Sequence, residues 1–188
     1  RSHVYLAADT TTGRPRVLKT PSVERREDSA YLDGFVLEEW VARRVDSPHV
    51  VKAWPGERPR AHLYVALEYI EGQTLAQWMA DNPEPSLASV RAIVEQLAQG
   101  LQALHRREML HQDLRPENVM IDGQGTVKLI DLATVQVAGL EETQGYAAAD
   151  PVPGALQYAA PEYLLGQGGS PRSDLFSLAV LTYRMLGG

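Results

Sequence analysis

From His111 to Asn118 the sequence reads His-Gln-Asp-Leu-Arg-Pro-Glu-Asn. Asp113 and Asn118 stand five positions apart on one polar stretch, and a second acid, Asp131, follows just after a hairpin pattern. A carboxylate near an attacking hydroxyl can orient it and take its proton, while two side-chain oxygens from neighbouring turns can ligate a hard cation. A single Asp would be an ordinary capped turn; the whole string is what carries chemistry. With a net charge of −6, an anionic partner would need cations of its own, and Lys19 in Val17-Leu18-Lys19 is one candidate. Glu38 and Glu39 lie on a helical stretch further on. Taken singly, a strand lysine is usually a solvated edge and a glutamate pair a wet helix face.

Short strand-like runs at 3–8 and 16–19 flank Asp9-Thr10-Thr11-Thr12-Gly13, which predicts an antiparallel pair joined by a turn. A helix is expected over 32–45, then strands over 50–54 and 63–70 with a turn between them. Thr74 is placed to cap a helix over 75–80, and Ser86 a longer one in which Val90, Ile93, Val94, Leu97, Leu101 and Leu104 recur at helical spacing. Residues 109–118 read as a polar loop, and 119–121 with 127–130 as a hairpin around Gly123-Gln124-Gly125. A long, small-residue-rich segment covers 131–162, and 175–186 is a very apolar closing helix.

The 188 residues contain no cysteine, which excludes disulfides, thiolate chemistry and cysteine-ligated zinc. The five histidines are scattered, with no pair at metal-ligand spacing. An acidic balance argues against general nucleic-acid binding, because no basic surface displaces counterions from phosphates. There is no apolar run of about 20 residues and no signal-peptide layout, so the expected location is the cytoplasm.

The string 111–118 with Asp131 resembles the catalytic loop and metal-binding Asp of protein kinases. That resemblance implies a two-lobed α+β fold, with a small antiparallel-sheet lobe carrying one helix over 1–70 and a mainly helical lobe over 71–188. It implies transfer of the γ-phosphoryl group of ATP to serine or threonine of a protein substrate, with Mg²⁺ or Mn²⁺. Asp113 would be the catalytic base, Arg115 would stand where the family has a lysine beside it, and Asn118 and Asp131 would hold the metal. Lys19 would grip the α- and β-phosphates and pair with Glu38, which lies 19 residues after it and ten before Pro48. Glu39 is the alternative. Leu67-Glu68-Tyr69-Ile70-Glu71-Gly72 is similar to the hinge, with Leu67 as gatekeeper and main-chain groups of Glu68 and Ile70 facing the adenine edge. Val4, Val17 and Met120 would sandwich the ring. Ala160-Pro161-Glu162 matches a further family motif, and Asp174 the residue supporting the catalytic loop. Arg-Pro-Glu-Asn after Asp113 is of the bacterial serine/threonine type, and the wording over 154–174 is similar to kinase domains fused to a metal-dependent phosphatase.

Against the family pattern, the first strand and glycine-rich loop are missing before Arg1, and the last helices after Gly188. The chain is therefore expected to be a fragment in which Glu162 lacks its usual arginine. Gln112 replaces the arginine that captures a phosphorylated activation loop, which makes loop phosphorylation an unlikely switch. Ala155 replaces a threonine that supports the catalytic Asp, and Ala133 a flexible glycine. These losses keep a second reading open, a catalytically weak or inactive nucleotide-binding regulatory module. A small-molecule phosphotransferase of related fold is a third, disfavoured by Ala160-Pro161-Glu162.

Overall fold

A computed structural model describes residues 2–25, 27–54, 62–139 and 156–187. The fold is α+β: a small antiparallel sheet with one long helix, followed by a mainly helical portion carrying two small sheets. β1 (His3–Ala8) and β2 (Pro15–Thr20) pair around a turn in which Asp9 accepts the Thr11 N–H and the Thr12 hydroxyl, and Gly13 takes φ +69°. β3 (Val65–Glu68) adds on the other side of β2. Residues opposite one another share a face of the sheet, so the registers Val4↔Lys19, Lys19↔Val65 and Val17↔Leu67 set Val4, Val17, Lys19 and Leu67 on one side.

α1 (Ser29–Arg44) starts three residues earlier than its apolar pattern predicts, because Asp28 caps it by accepting the Tyr31 N–H and is itself held by Arg25. Phe35, Glu38, Val41, Ala42 and Val45 are buried along its inner side. The strand expected over 50–54 is a correction: the segment makes only isolated bridges at Val50 and Ala53. Its main chain is shared between two partners, Val51 donating to the Leu129 carbonyl and Trp54 to the Ala66 carbonyl, so neither ladder extends. The eight-residue strand expected over 63–70 is likewise confined to Val65–Glu68.

β4 (Gly72–Thr74) leads into α2 (Leu75–Asp81), where Thr74 caps as expected, and Ser86 caps α3 (Leu87–His105). Val90, Ile93, Leu97, Leu101 and Leu104 of α3 are buried, joined by Gly100, where a methyl group would lie 2.9 Å from the His49 carbonyl oxygen. The polar stretch after α3 is more regular than its composition suggests. β5 (Met109–Leu110) pairs with β8 (Gln136–Val137), and a 3₁₀ turn, Pro116–Asn118, leads into β6 (Val119–Asp122), which pairs with both β4 and β7 (Val127–Leu129). After the short α4 (Pro161–Leu164), α5 (Pro171–Met185) begins earlier than the apolar run, because Ser170 and Ser173 form a capping box around Pro171. One apolar core runs through α1, α3, β6, β7 and α5. No helix among the described residues is long and apolar enough to cross a membrane.

Candidate active site

The sheet, α1 and the β5–β8 region bring three charged side chains together. Lys19 Nζ lies 2.7 Å from Glu38 Oε1 and 3.2 Å from Asp131 Oδ1, joining residues 19 and 112 positions apart. Glu39 instead pairs with Arg43 one helical turn away, so α1 turns Glu38, not its neighbour, toward the lysine. Glu38 is fully buried, and that burial pushes its carboxyl up to about 7 against the pull of Lys19. Burial works against a charged Lys19 too, yet Asp131 and Glu38 together hold its pKa above the ordinary value, so the ammonium is retained.

Asp113 and Asn118 meet across the 3₁₀ turn. The Asn118 amide donates to the Asp113 main-chain oxygen at 2.9 Å and to its carboxylate at 2.8 Å. Burial raises the pKa of Asp113, opposed by the nearby His111, the Asn118 hydrogen bond and Arg115. Since both contacts use the Asn118 amide nitrogen, its oxygen is left over; Asp131 spends one oxygen on Lys19, and Ile130 next to it donates to the Asn118 carbonyl. Amide and carboxylate oxygens are hard donors, of the kind that divalent cations such as Mg²⁺ take together with phosphate oxygens. Among the described residues no group of three or more His, Cys, Asp or Glu could hold a metal by itself. Arg115 pairs with Glu117 at 2.7 Å and reaches Asp113 by charge only.

The loop bearing Asp113 is held from below by Asp174. Its buried carboxylate accepts the His111 and Gln112 N–H groups, both at 2.9 Å, and the His105 ring Nε2 lies at 2.8 Å. Gln112 takes φ +66°, a left-handed conformation that a side chain resists, and Asp174 binds the very amide that this conformation presents. Burial alone would raise the Asp174 pKa; the His105 bond, His111 and the two N–H donors outweigh it and hold the carboxyl below its ordinary value.

Val4, Val17 and Leu67 line one side of the sheet in graded exposure: Val4 is 61% exposed, Val17 half-buried and Leu67 buried at the rear. Met120, on β6, is half-buried against the core. Ile70 is buried, and among the described residues its N–H has no acceptor. Glu68 aims its side chain elsewhere: Lys128 on β7 reaches both carboxylate oxygens at 2.8 Å, and the Lys52 N–H donates to the same group. That pairing between β3 and β7 has no signal in local periodicity. Nor has the contact made by Gln112, whose amide donates to Gln136 on β8 at 2.6 Å. Glu162, expected to lack its usual arginine, accepts a hydrogen bond from the Ser173 hydroxyl, and its carboxyl is partly exposed rather than sealed in the core. Ala155 lies outside the described residues.

A protein-kinase-domain family model matches residues 1–188. The serine/threonine-protein kinase PknL of Mycobacterium tuberculosis is 29% identical over 187 residues, which cover all of this chain and 46% of that protein. PknA of Corynebacterium glutamicum is 29% identical over 192 residues and PrkC of Bacillus subtilis 26% over 188, covering 40% and 28% of those proteins. The chain thus spans less than half the length of these curated relatives. With a family match over its whole length, the chain belongs to the protein kinase domain family.

Proposed function

We propose that the protein containing this chain transfers the γ-phosphoryl group of ATP to serine or threonine hydroxyls of a protein substrate, using Mg²⁺ or Mn²⁺. The observation that carries the proposal is the convergence of Lys19, Glu38 and Asp131 beside the Asp113–Asn118 pair. Lys19, fixed by Glu38, holds the α- and β-phosphates. Leu67 closes the rear of the cleft, the Ile70 N–H and Glu68 carbonyl meet the adenine edge, and Val4, Val17 and Met120 cover its faces. Asn118 and Asp131 offer oxygens to the metal, which when bound neutralises charge on the phosphates. Asp113 orients the substrate hydroxyl and accepts its proton, with Arg115 beside it. Catalysis is then mainly positioning and charge neutralisation. The activity belongs in the cytoplasm, where ATP is supplied, and the wording over 154–174 supports a metal-dependent phosphatase on the same polypeptide.

Thermal shift and phosphotransfer test the reading together. Nucleotide with Mg²⁺ should raise the midpoint, because a ligand bound only by the folded state stabilises it, while nucleotide with chelator should not. Asp113→Asn should keep that shift and lose ~10²–10⁴-fold of the transfer rate, and Lys19→Met should weaken both. A protein that shifts with nucleotide but transfers no more phosphate than its Asp113→Asn variant is the non-catalytic module instead.

A further inference from the structure

Away from the proposed catalytic cleft, a shallow, open cavity of about 550 Å³ lies between the end of α1 and the turn after α3, lined by Trp40, Arg44, Arg106, Arg107, Glu108 and Met109. Arginine near a helix C-terminus is favourable against the helix dipole whatever else it does. Here, however, arginines from two helix ends share the lining with one aromatic side chain, and Asp46 and Glu39 nearby are spoken for. Asp46, close enough to Arg107 to feel its charge, is bonded to Lys52 at 2.8 Å, and Glu39 is bonded to Arg43. Among the described residues, Arg44, Arg106 and Arg107 form no ion pair. Against the single carboxylate of Glu108 the lining keeps an excess of two positive charges, in a chain whose net charge is −6. Arg44 stacks 3.7 Å from the centre of the Trp40 ring, which fixes its guanidinium plane and leaves its in-plane N–H groups to be used.

We infer that this cavity is a docking site for a polypeptide segment bearing phosphoserine or phosphothreonine. A guanidinium fork matches phosphate oxygens in a bidentate way, and a dianion answers an excess of two charges better than a carboxylate does. Trp40 and the buried Met109 supply an apolar floor for the residues beside the phosphate, and the volume suits one side chain with its neighbours. The choice of phosphate rests on the kinase reading, since phosphoserine and phosphothreonine are the products of that reaction. The site also has a place from which to act. Trp40 and Arg44 lie on α1, whose Glu38 grips Lys19, and Met109 lies on the strand that leads to Asp113. A bound segment therefore ties α1 to the catalytic loop.

The test titrates the full chain, as the Asp113→Asn variant, with a labelled phosphothreonine peptide of neutral flanks and follows anisotropy. The expected result is binding at least about tenfold tighter than the unphosphorylated twin, or than the twin with glutamate at that position. Arg44→Gln with Arg107→Gln should lose about tenfold or more, with Arg107→Gln alone standing in should the pair not fold. Arg91→Gln, on the outer side of α3, should bind as the parent does. Equal binding of phosphorylated and plain peptides, or unchanged binding in the arginine variants, overturns the proposal. So does inorganic phosphate competing with the affinity of the peptide, which would make this a free-anion site. The titration needs no nucleotide, so its failure and that of the kinase reading are separate results.

Discussion

At Glu38 a carboxyl sits without water on the inner side of α1 and ionises only at about pH 7. Two pH effects of opposite sign follow. Between its ordinary value of 4.5 and about 7, the folded chain keeps a proton there that the unfolded chain has released. The stability this group contributes is complete below 4.5 and lost as pH rises through about 7. Phosphoryl transfer should change the other way, because ionised Glu38 is what holds Lys19 by charge. Thermal midpoints and initial rates across this window check both; Glu38→Gln should flatten the stability slope and leave only the part of the rate slope due to Asp113. Lys19, Asp113, Asn118 and Asp131 stand out in the sequence by type and spacing, while their roles come only from the resemblance to protein kinases. The choice of Glu38 over Glu39 rests on its spacing from Lys19 and Pro48; the helix supplies the physical reason, since Phe35, Val41, Ala42 and Val45 put position 38 in the buried phase and 39 outside it.

Elements are placed here by a few contacts far apart in sequence. Asp174, at the start of α5, holds two main-chain amides of the catalytic loop, and Asp174→Ala leaves both without an acceptor. At ~1–3 kcal/mol for each orphaned donor, the loss should be roughly 3 kcal/mol, read as a lower denaturation midpoint. The same carboxyl is depressed, so its contribution is present above its ordinary value of 3.8 and disappears as pH falls through the lower folded value. Gly72 is a second such point: a methyl there would collide with the Ile121 carbonyl oxygen across the β4–β6 pairing. Gly72→Ala should cost about 1–3 kcal/mol, read as a lower denaturation midpoint, and weaken nucleotide binding if the proposed adenine site beside it is right. Helices α2 and α3 were legible through their caps and periodicity. The 50–54 segment was not, because its alternation reports a half-buried strand while its hydrogen bonds divide between β3 and β7.

For the molecule as a whole, the missing arginine at position 112 changes how the domain can be switched. A neutral amide pair, Gln112 to Gln136, ties the catalytic loop to β8 without any added phosphate. Replacing Thr134, and with it Thr143 and Tyr146 outside the described residues, by non-phosphorylatable residues should leave transfer within a few-fold of the parent; a loss of orders of magnitude would show that loop phosphorylation does control it. The α+β architecture was legible because strands with one helix precede a run of long helices. How the two portions are fastened was not. Glu68 to Lys128 spans 60 residues, and such pairings follow from the packed fold rather than from any local pattern.

The grip of Asp174 on Gln112 reaches across 62 residues, and that separation is also a delay. On a ribosome adding ~5–20 residues per second, roughly 3–12 s pass between the two being made. Through that interval the loop bearing Asp113 lacks the Asp174 carboxylate that accepts its two amides in the folded chain, and it gains that support only once the start of α5 has been synthesised. Nascent chains of this domain should therefore gain nucleotide-cleft structure early and a fixed Asp113 late.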